Sequence, residues 1–341
     1  MTVRASILIP THDRAQTLRI AVSTALAQTV LDLEVLIIGD GVTDGVRTAA
    51  NELARQDSRV RFFDNPKGAN HGEPYRHDAI VHARGGAIFY LCDDDLLMAE
   101  HVSDLLELLE THDFVQSLNG FVTIEGEIGL YPADLADPET VQRHLSDEVP
   151  FNNVSLTGTA HSRDFYLRMV DPWTTTPKGF WPDQYQARKF FRAPGCRSAT
   201  SRRMTALQFP TLATARETWP EKDRVVELLR WIGLTVTADG QEQINERVAA
   251  STRRRLDREY QRATELSVSD ENHRRLAAST RSRLDLEHQR ATELSVSDEN
   301  HRRLAAEYRA ELQSMLASRS WRATAPLRWL RRVVSSRRWG G

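Results

Sequence analysis

Three short apolar runs in the first hundred residues each end in an acidic or glycine-rich loop, with amphipathic stretches between them. Ala5–Ile9 passes into Pro10-Thr11-His12-Asp13-Arg14, Leu33–Ile38 into Gly39-Asp40-Gly41, and Ala87–Leu91 into Cys92-Asp93-Asp94-Asp95. After the first run, Leu18, Ala21, Val22, Ala25 and Leu26 recur at helical spacing. Strand–helix alternation of this kind predicts an α/β fold with a mostly parallel sheet flanked by helices. Such sheets bind ligands outside the carboxyl ends of their strands, so the three loops are expected to share one crevice. Three adjacent carboxylates closing a buried strand are costly unless something pairs them. A divalent cation does so through hard oxygen ligands. The alternative is an acidic first turn for the helix that follows.

The segments "SILIPTHDRAQTLRIAVSTALAQT", "EVLIIGDGVTDG" and "YLCDDDLL", in this order, resemble the nucleotide-binding half of the family 2 glycosyltransferases. The resemblance covers about the first 100 residues strongly and weakens toward residue 235. It implies a GT-A-type fold, a nucleotide-diphosphate sugar donor, Mn²⁺ or Mg²⁺, and transfer with inversion. Two positions depart from the family pattern. Gly39 stands where an acid is common, ahead of the retained Asp40, and Cys92 stands where many members carry aspartate.

The same resemblance implies roles for single residues. Asp93 and Asp95 are expected to hold the metal, with Asp94 turned toward ribose or a backbone amide. Pro10, Thr11, Asp13 and Asp40 are expected around the nucleotide. Arg76 matches an arginine position of the family and is expected on the base or diphosphate; a surface ion pair with Asp78 or Glu73 is the alternative. Asp183, in Gly179-Phe180-Trp181-Pro182-Asp183-Gln184-Tyr185, stands where the family places its catalytic base. Its alternative role is a helix cap. His161 is expected as a third metal ligand or an acceptor contact, with a buried structural histidine as the alternative. Trp173 and Trp181 suit stacking on sugar faces or core packing.

Composition excludes several other classes. A formal net charge of −2 argues against nucleic acid as a partner. Two cysteines, Cys92 and Cys196, do not make a disulfide scaffold. The first residues lack the apolar core of a signal peptide, and no run approaches the ~18–20 apolar residues of a membrane span. No glycine-rich P-loop is present, which argues against ATP hydrolysis. A sugar nucleotidyltransferase is disfavoured because the loop after the first strand has no glycine. A non-enzymatic scaffold with a degenerate transferase domain is kept in play by Gly39 and Cys92.

The expected organisation is a transferase domain over 1–235, with a nucleotide half (1–115) and an acceptor half (116–235). A charged helical region over 241–316 and a basic tail over 317–341 follow. The helical region contains a near-exact 28-residue tandem repeat, 250–277 and 278–305, differing only at Arg254/Ser282, Arg258/Leu286 and Tyr260/His288. Four heptads preserve helical register, which suits a coiled coil and a homo-oligomer, although Asp270 and Asp298 fall on the seam. Residues 318–341 carry seven arginines, no acid and three tryptophans. That composition predicts attachment to an anionic membrane surface. The expectation is a metal-dependent, inverting transferase that adds sugar to a glycan or lipid-linked acceptor in bacterial surface polysaccharide or glycolipid synthesis. Its expected place is the cytoplasm, peripheral to the inner face of the membrane.

Overall fold

A computed structural model describes residues 2–267, except 132, 148–150, 211–214 and 238, together with 282, 285 and 286. Most of the tandem repeat and the whole basic tail lie outside the described residues. The first half runs β1 (Ala5–Thr11), α1 (Ala15–Leu26), β2 (Leu33–Asp40), α2 (Asp44–Gln56), β3 (Val60–Asn65), α3 (Pro74–Val81), β4 (Ala87–Tyr90), β5 (Leu96–Leu97), α4 (His101–Leu109) and β6 (Phe114–Gln116). The second continues with β7 (Gly120–Val122), β8 (Ile128–Leu130), α5 (Pro138–Leu145), β9 (Thr159–Ser162), α6 (Arg163–Arg168), α7 (Pro182–Arg192), β10 (Ser198–Thr200), β11 (Ala206–Leu207), α8 (Glu221–Val236) and α9 (Gly240–Ser267).

Seven strands form the main sheet in the order β10-β6-β9-β4-β1-β2-β3. The pairs β1–β2, β1–β4, β2–β3 and β6–β10 are parallel, while β9 runs antiparallel to both β4 and β6. All eight residues of β2 are buried, the continuous burial of a parallel strand covered on both faces. Side chains alternate across the sheet. Ile7 and Ile9 therefore join a cluster with Leu18, Val22 and Val46 of α1 and α2. Leu8, Leu36 and Ile88 instead pack with Ile80, Tyr166 and Phe190 of α3, α6 and α7.

Register positions the site. Leu8 lies opposite Tyr90, and Thr11 lies opposite Gly39. The ends of β1, β2 and β4 are therefore level, and the loops that follow them open on one side.

The charged extension does not begin as a free helix. Ile244 and Val248 of α9 are buried in a third cluster with Trp231 and Leu228 of α8, and with Val122 and Ile128 of the β7–β8 hairpin. This face offsets the strongly polar composition of α9, since an apolar stripe is what holds such a helix in place.

Candidate active site

The aspartates after β4 are all buried, and each is held differently. Asp93 accepts from Thr11 Oγ1 at 2.7 Å, which ties the end of β4 to the end of β1. Asp94 Oδ2 receives Nη1 of Arg14 at 2.6 Å and Nη2 of Arg224 at 3.0 Å. Asp95 accepts the Phe209 amide at 2.8 Å and the Thr157 hydroxyl at 2.5 Å. Thr157 in turn accepts the Cys92 amide at 2.8 Å. Burial, and then the negative charge of Asp94, push both Asp93 and Asp95 up to about 7. Burial and the neighbouring carboxylates raise the Cys92 thiol as well.

Two guanidiniums, those of Arg14 and Arg224, both serve Asp94. Cys92 Sγ and carboxylate oxygens of Asp94 and Asp95 lie within 4.8 Å of one another. This donor set fits a hard divalent cation in its oxygens, and the raised carboxyl groups mark negative charge still short of compensation.

Asp40, at the end of β2, is also buried but engaged. Its Oδ1 accepts the Gly68 amide at 2.6 Å and its Oδ2 pairs with Lys67. The loop can lie this close because of Gly72, which has φ +61° and would place a Cβ 2.6 Å from Asp40 Cγ. Asp13 is exposed in the loop after β1, and Pro10 is half-buried within that strand.

Arg76 of α3 is buried with its guanidinium 4.9 Å from the Trp173 ring centroid. Its Nε and Nη1 have no hydrogen-bond partner. Burial lowers its pKa, opposed by the charges of Glu73, Cys92, Tyr90 and Asp183. Asp183 sits in the first turn of α7 behind Pro182, a residue suited to a helix start. It accepts the Gln184 amide at 2.8 Å and Asn152 Nδ2 at 3.3 Å. Burial pushes it up to about 6 against those bonds and the Arg76 charge.

His161, expected as a third metal ligand or an acceptor contact with a buried structural histidine as the alternative, lies outside the Cys92, Asp94 and Asp95 group. It lies on β9, fully buried, and its Nδ1 contacts the Ser162 carbonyl at 3.0 Å. That contact makes Nδ1 the donor, so Nε2 accepts the Tyr90 hydroxyl at 2.9 Å. Tyr90 Oη accepts Trp173 Nε1 at 2.8 Å, completing a directional chain through the core. Both imidazole nitrogens are committed, and burial lowers the ring to about 4, so it stays neutral. The same chain buries Trp173, whereas Trp181 remains exposed beside Asp183.

Four residues of the acid cluster's surroundings were not among the sequence candidates. Arg14 stands in the conspicuous Thr11–Arg14 loop and was legible in principle. Thr157, Phe209 and Arg224 come from 62, 114 and 130 residues away along the chain, and Phe209 acts through its backbone amide.

Residues 6–171 match the family model for glycosyl transferase family 2. These residues thus form a glycosyl transferase family 2 domain. It is 25% identical over 104 residues to GalNAc(5)-diNAcBac-PP-undecaprenol beta-1,3-glucosyltransferase of Campylobacter jejuni, covering 30% of this chain and 34% of that protein. Against an uncharacterized glycosyltransferase of Rickettsia felis it is 30% identical over 132 residues, covering 38% and 21%. The chain thus spans about a third or less of the length of these relatives. A crystal structure of S. aureus TarS 1-349 in complex with UDP-GlcNAc matches with a TM-score of 0.46 and 14% identity, covering 73% of this chain and 71% of that one.

Proposed function

We propose that this protein transfers a sugar, with inversion, from a nucleotide-diphosphate donor to a hydroxyl of a glycan or lipid-linked acceptor in bacterial surface polysaccharide or glycolipid synthesis. The observation that carries the reading is the meeting of β1, β2 and β4 ends around three buried carboxylates, two of which, Asp93 and Asp95, are raised by burial, within a family 2 domain. Asp93, Asp94 and Asp95 would hold Mn²⁺ or Mg²⁺. When bound, such an ion neutralises charge on the departing diphosphate.

The protein's own groups supply the rest. Thr11, Pro10, Asp13 and Asp40 border the nucleotide side, and the unpaired N–H groups of Arg76 offer donors to an anionic donor substrate. Asp183 is the base. With its carboxyl near 6 it is ionised at neutral pH yet more basic than an exposed aspartate. It takes the proton from the acceptor hydroxyl as the acceptor oxygen bonds to the anomeric carbon. The bond from that carbon to the diphosphate breaks on the opposite face, and the nucleoside diphosphate leaves with the electron pair. Exposed Trp181, two residues before the base, suits stacking on an acceptor sugar.

The domain division at 235, self-association through 241–316 and attachment of 318–341 to an anionic membrane at the inner face belong to the same proposal. Among the described residues, no helix is long and apolar enough to cross a membrane.

A second reading, a scaffold with a degenerate site, draws on Asp40, whose two oxygens are already engaged, and on Cys92 in place of an acid. Sugar-nucleotide turnover with and without Mn²⁺ separates the two. Turnover that needs Mn²⁺ and disappears in Asp95→Asn supports the transferase, and none with any common donor supports the scaffold.

A further inference from the structure

Asp94 carries two guanidinium groups of unlike character. Both stand at the same oxygen, Arg14 at 2.6 Å and Arg224 at 3.0 Å. Arg224, on α8, keeps only 6% of its side chain exposed and also donates to the Phe209 carbonyl at 2.7 Å. The Phe209 amide in turn donates to Asp95. Arg224 is therefore knitted into the backbone that fixes the acid cluster, and removing a buried partner of this kind is strongly destabilising. It comes from beyond the family-matched segment, which ends at residue 171.

Arg14 is different. Its side chain is 40% exposed, it precedes α1, and it makes no side-chain capping bond there. Among the described residues its side chain bonds to Asp94 and, at 3.5 Å, Asp93. Its guanidinium can return to water, and the buried carboxylates it leaves keep Arg224 and gain the cation. A divalent cation beside Asp94 would repel both guanidiniums, and only Arg14 has a path to solvent without stranding a buried charge.

We propose that Arg14 is an exchangeable counter-ion. It neutralises Asp93 and Asp94 while no divalent cation is bound, and it yields those carboxylates when one binds. It then presents its guanidinium to the phosphates of a nucleoside diphosphate at the mouth of the crevice, a geometry arginine suits through paired N–H donors. Arg224 stays in place throughout. The proposal rests on the cation site of the function proposed above, and it gives Arg14 a positioning role that couples cation to donor.

The test is Mn²⁺ binding to the full-length protein, read from the electron paramagnetic resonance of free Mn²⁺, with and without UDP or GDP. Arg14→Gln should bind Mn²⁺ alone about fivefold or more tightly than wild type, because its competitor is gone. The nucleotide should then tighten Mn²⁺ binding less than in wild type. Arg14→Lys should restore much of the competition. Equal or weaker Mn²⁺ binding in Arg14→Gln would overturn the exchange. So would a melting temperature lowered as far as in Arg224→Gln, since Arg14 would then be a structural partner. Absence of Mn²⁺ binding in both proteins would also overturn it. Melting shifts with UDP or GDP in chelator then tell whether the nucleotide-binding reading survives independently.

Discussion

The two ends of the main sheet bury carboxylates in opposite ways. At the start of β2, Glu34 is fully buried and saturated with donors: Ser6 Oγ at 2.8 Å, the Arg84 amide at 2.5 Å, Arg84 Nε at 2.7 Å and Arg61 Nη1 at 3.0 Å. Burial raises its pKa, but the bonds from Arg84, Ser6 and Arg61 outweigh it and leave it below the usual value. At the other end, burial wins for Asp93 and Asp95 despite their hydrogen bonds. Low exposure in both places with unequal compensation separates a carboxylate saturated by donors from carboxylates that fit the proposed ligand-binding role. Glu34 is part of the architecture. The aspartates are costly to the apo protein, a common condition of functional sites.

That contrast can be broken most sharply at Asp183. Asp183→Asn preserves shape and can still accept the Gln184 amide, but it is no longer a base. We expect kcat to fall roughly 10²–10⁴-fold with donor affinity nearly unchanged, the span typical of a general base. Steady-state kinetics with donor affinity from calorimetry checks this. A collapse of donor affinity instead would move Asp183 to the nucleotide side.

At the acid cluster itself, Asp95→Asn should lower kcat by about 10²–10³-fold, the scale of removing one preorganised electrostatic contact. It should also weaken Mn²⁺ binding without lowering stability at neutral pH, because it removes a carboxyl that burial has raised. Asparagine is preferable to alanine here because Asp95 is buried against the Phe209 amide and the Thr157 hydroxyl, and alanine would strand both. Full activity in excess chelator would remove the cation from the proposal. At the opposite end, Glu34→Gln should do the reverse. It should cost roughly 2–3 kcal/mol of stability through weakened charge-assisted bonds while leaving kcat within twofold. Denaturant titration beside kinetics distinguishes the pair, and a large activity loss in Glu34→Gln would erase the division of labour between the two ends.

How much of this was readable beforehand follows from range along the chain. The strands β1, β2 and β4 announced themselves as apolar runs, α4 by Val102, Leu105, Leu106 and Leu109 at helical spacing, and the start of α7 by Pro182-Asp183. These are local signals. Thr159–Ser162 has almost no apolar pattern, yet it forms β9 and inserts antiparallel between β4 and β6. That insertion is what carries His161 into the core and away from the metal role its chemistry suggested. Arg224 was illegible for the same reason, since nothing near it in sequence indicates a carboxylate 130 residues earlier. The helix α9 reads as a charged segment, and among its described residues the buried apolar side chains, Ile244, Val248 and Leu256, are too few to dominate its composition.

The smallest expected effect is the most direct check on the contrast, because the two kinds of carboxylate should respond to pH with opposite sign. Glu34 has a lowered folded-state pKa, so its contribution is present above the unfolded value near 4.5 and is lost as pH falls below it. Asp183 has a raised one, about 6 against an ordinary 3.8. Between these values the folded protein binds a proton that the unfolded chain has released, so Asp183 lowers stability progressively as pH rises through that window. Asp183→Asn removes this cost. It should therefore be more stable than wild type by on the order of 1–3 kcal/mol at pH 7.5, with the advantage vanishing below about pH 4. Glu34→Gln should be less stable at pH 7.5, and its deficit should shrink over the acid range. Melting curves of the three proteins from pH 2 to 8 would show the wild-type curve approaching Asp183→Asn from below as acid is added, and Glu34→Gln from above at the acid end. A wild type at least as stable as Asp183→Asn at pH 7.5 would mean that Asp183 is compensated like Glu34, a cap for α7 with no proton to take.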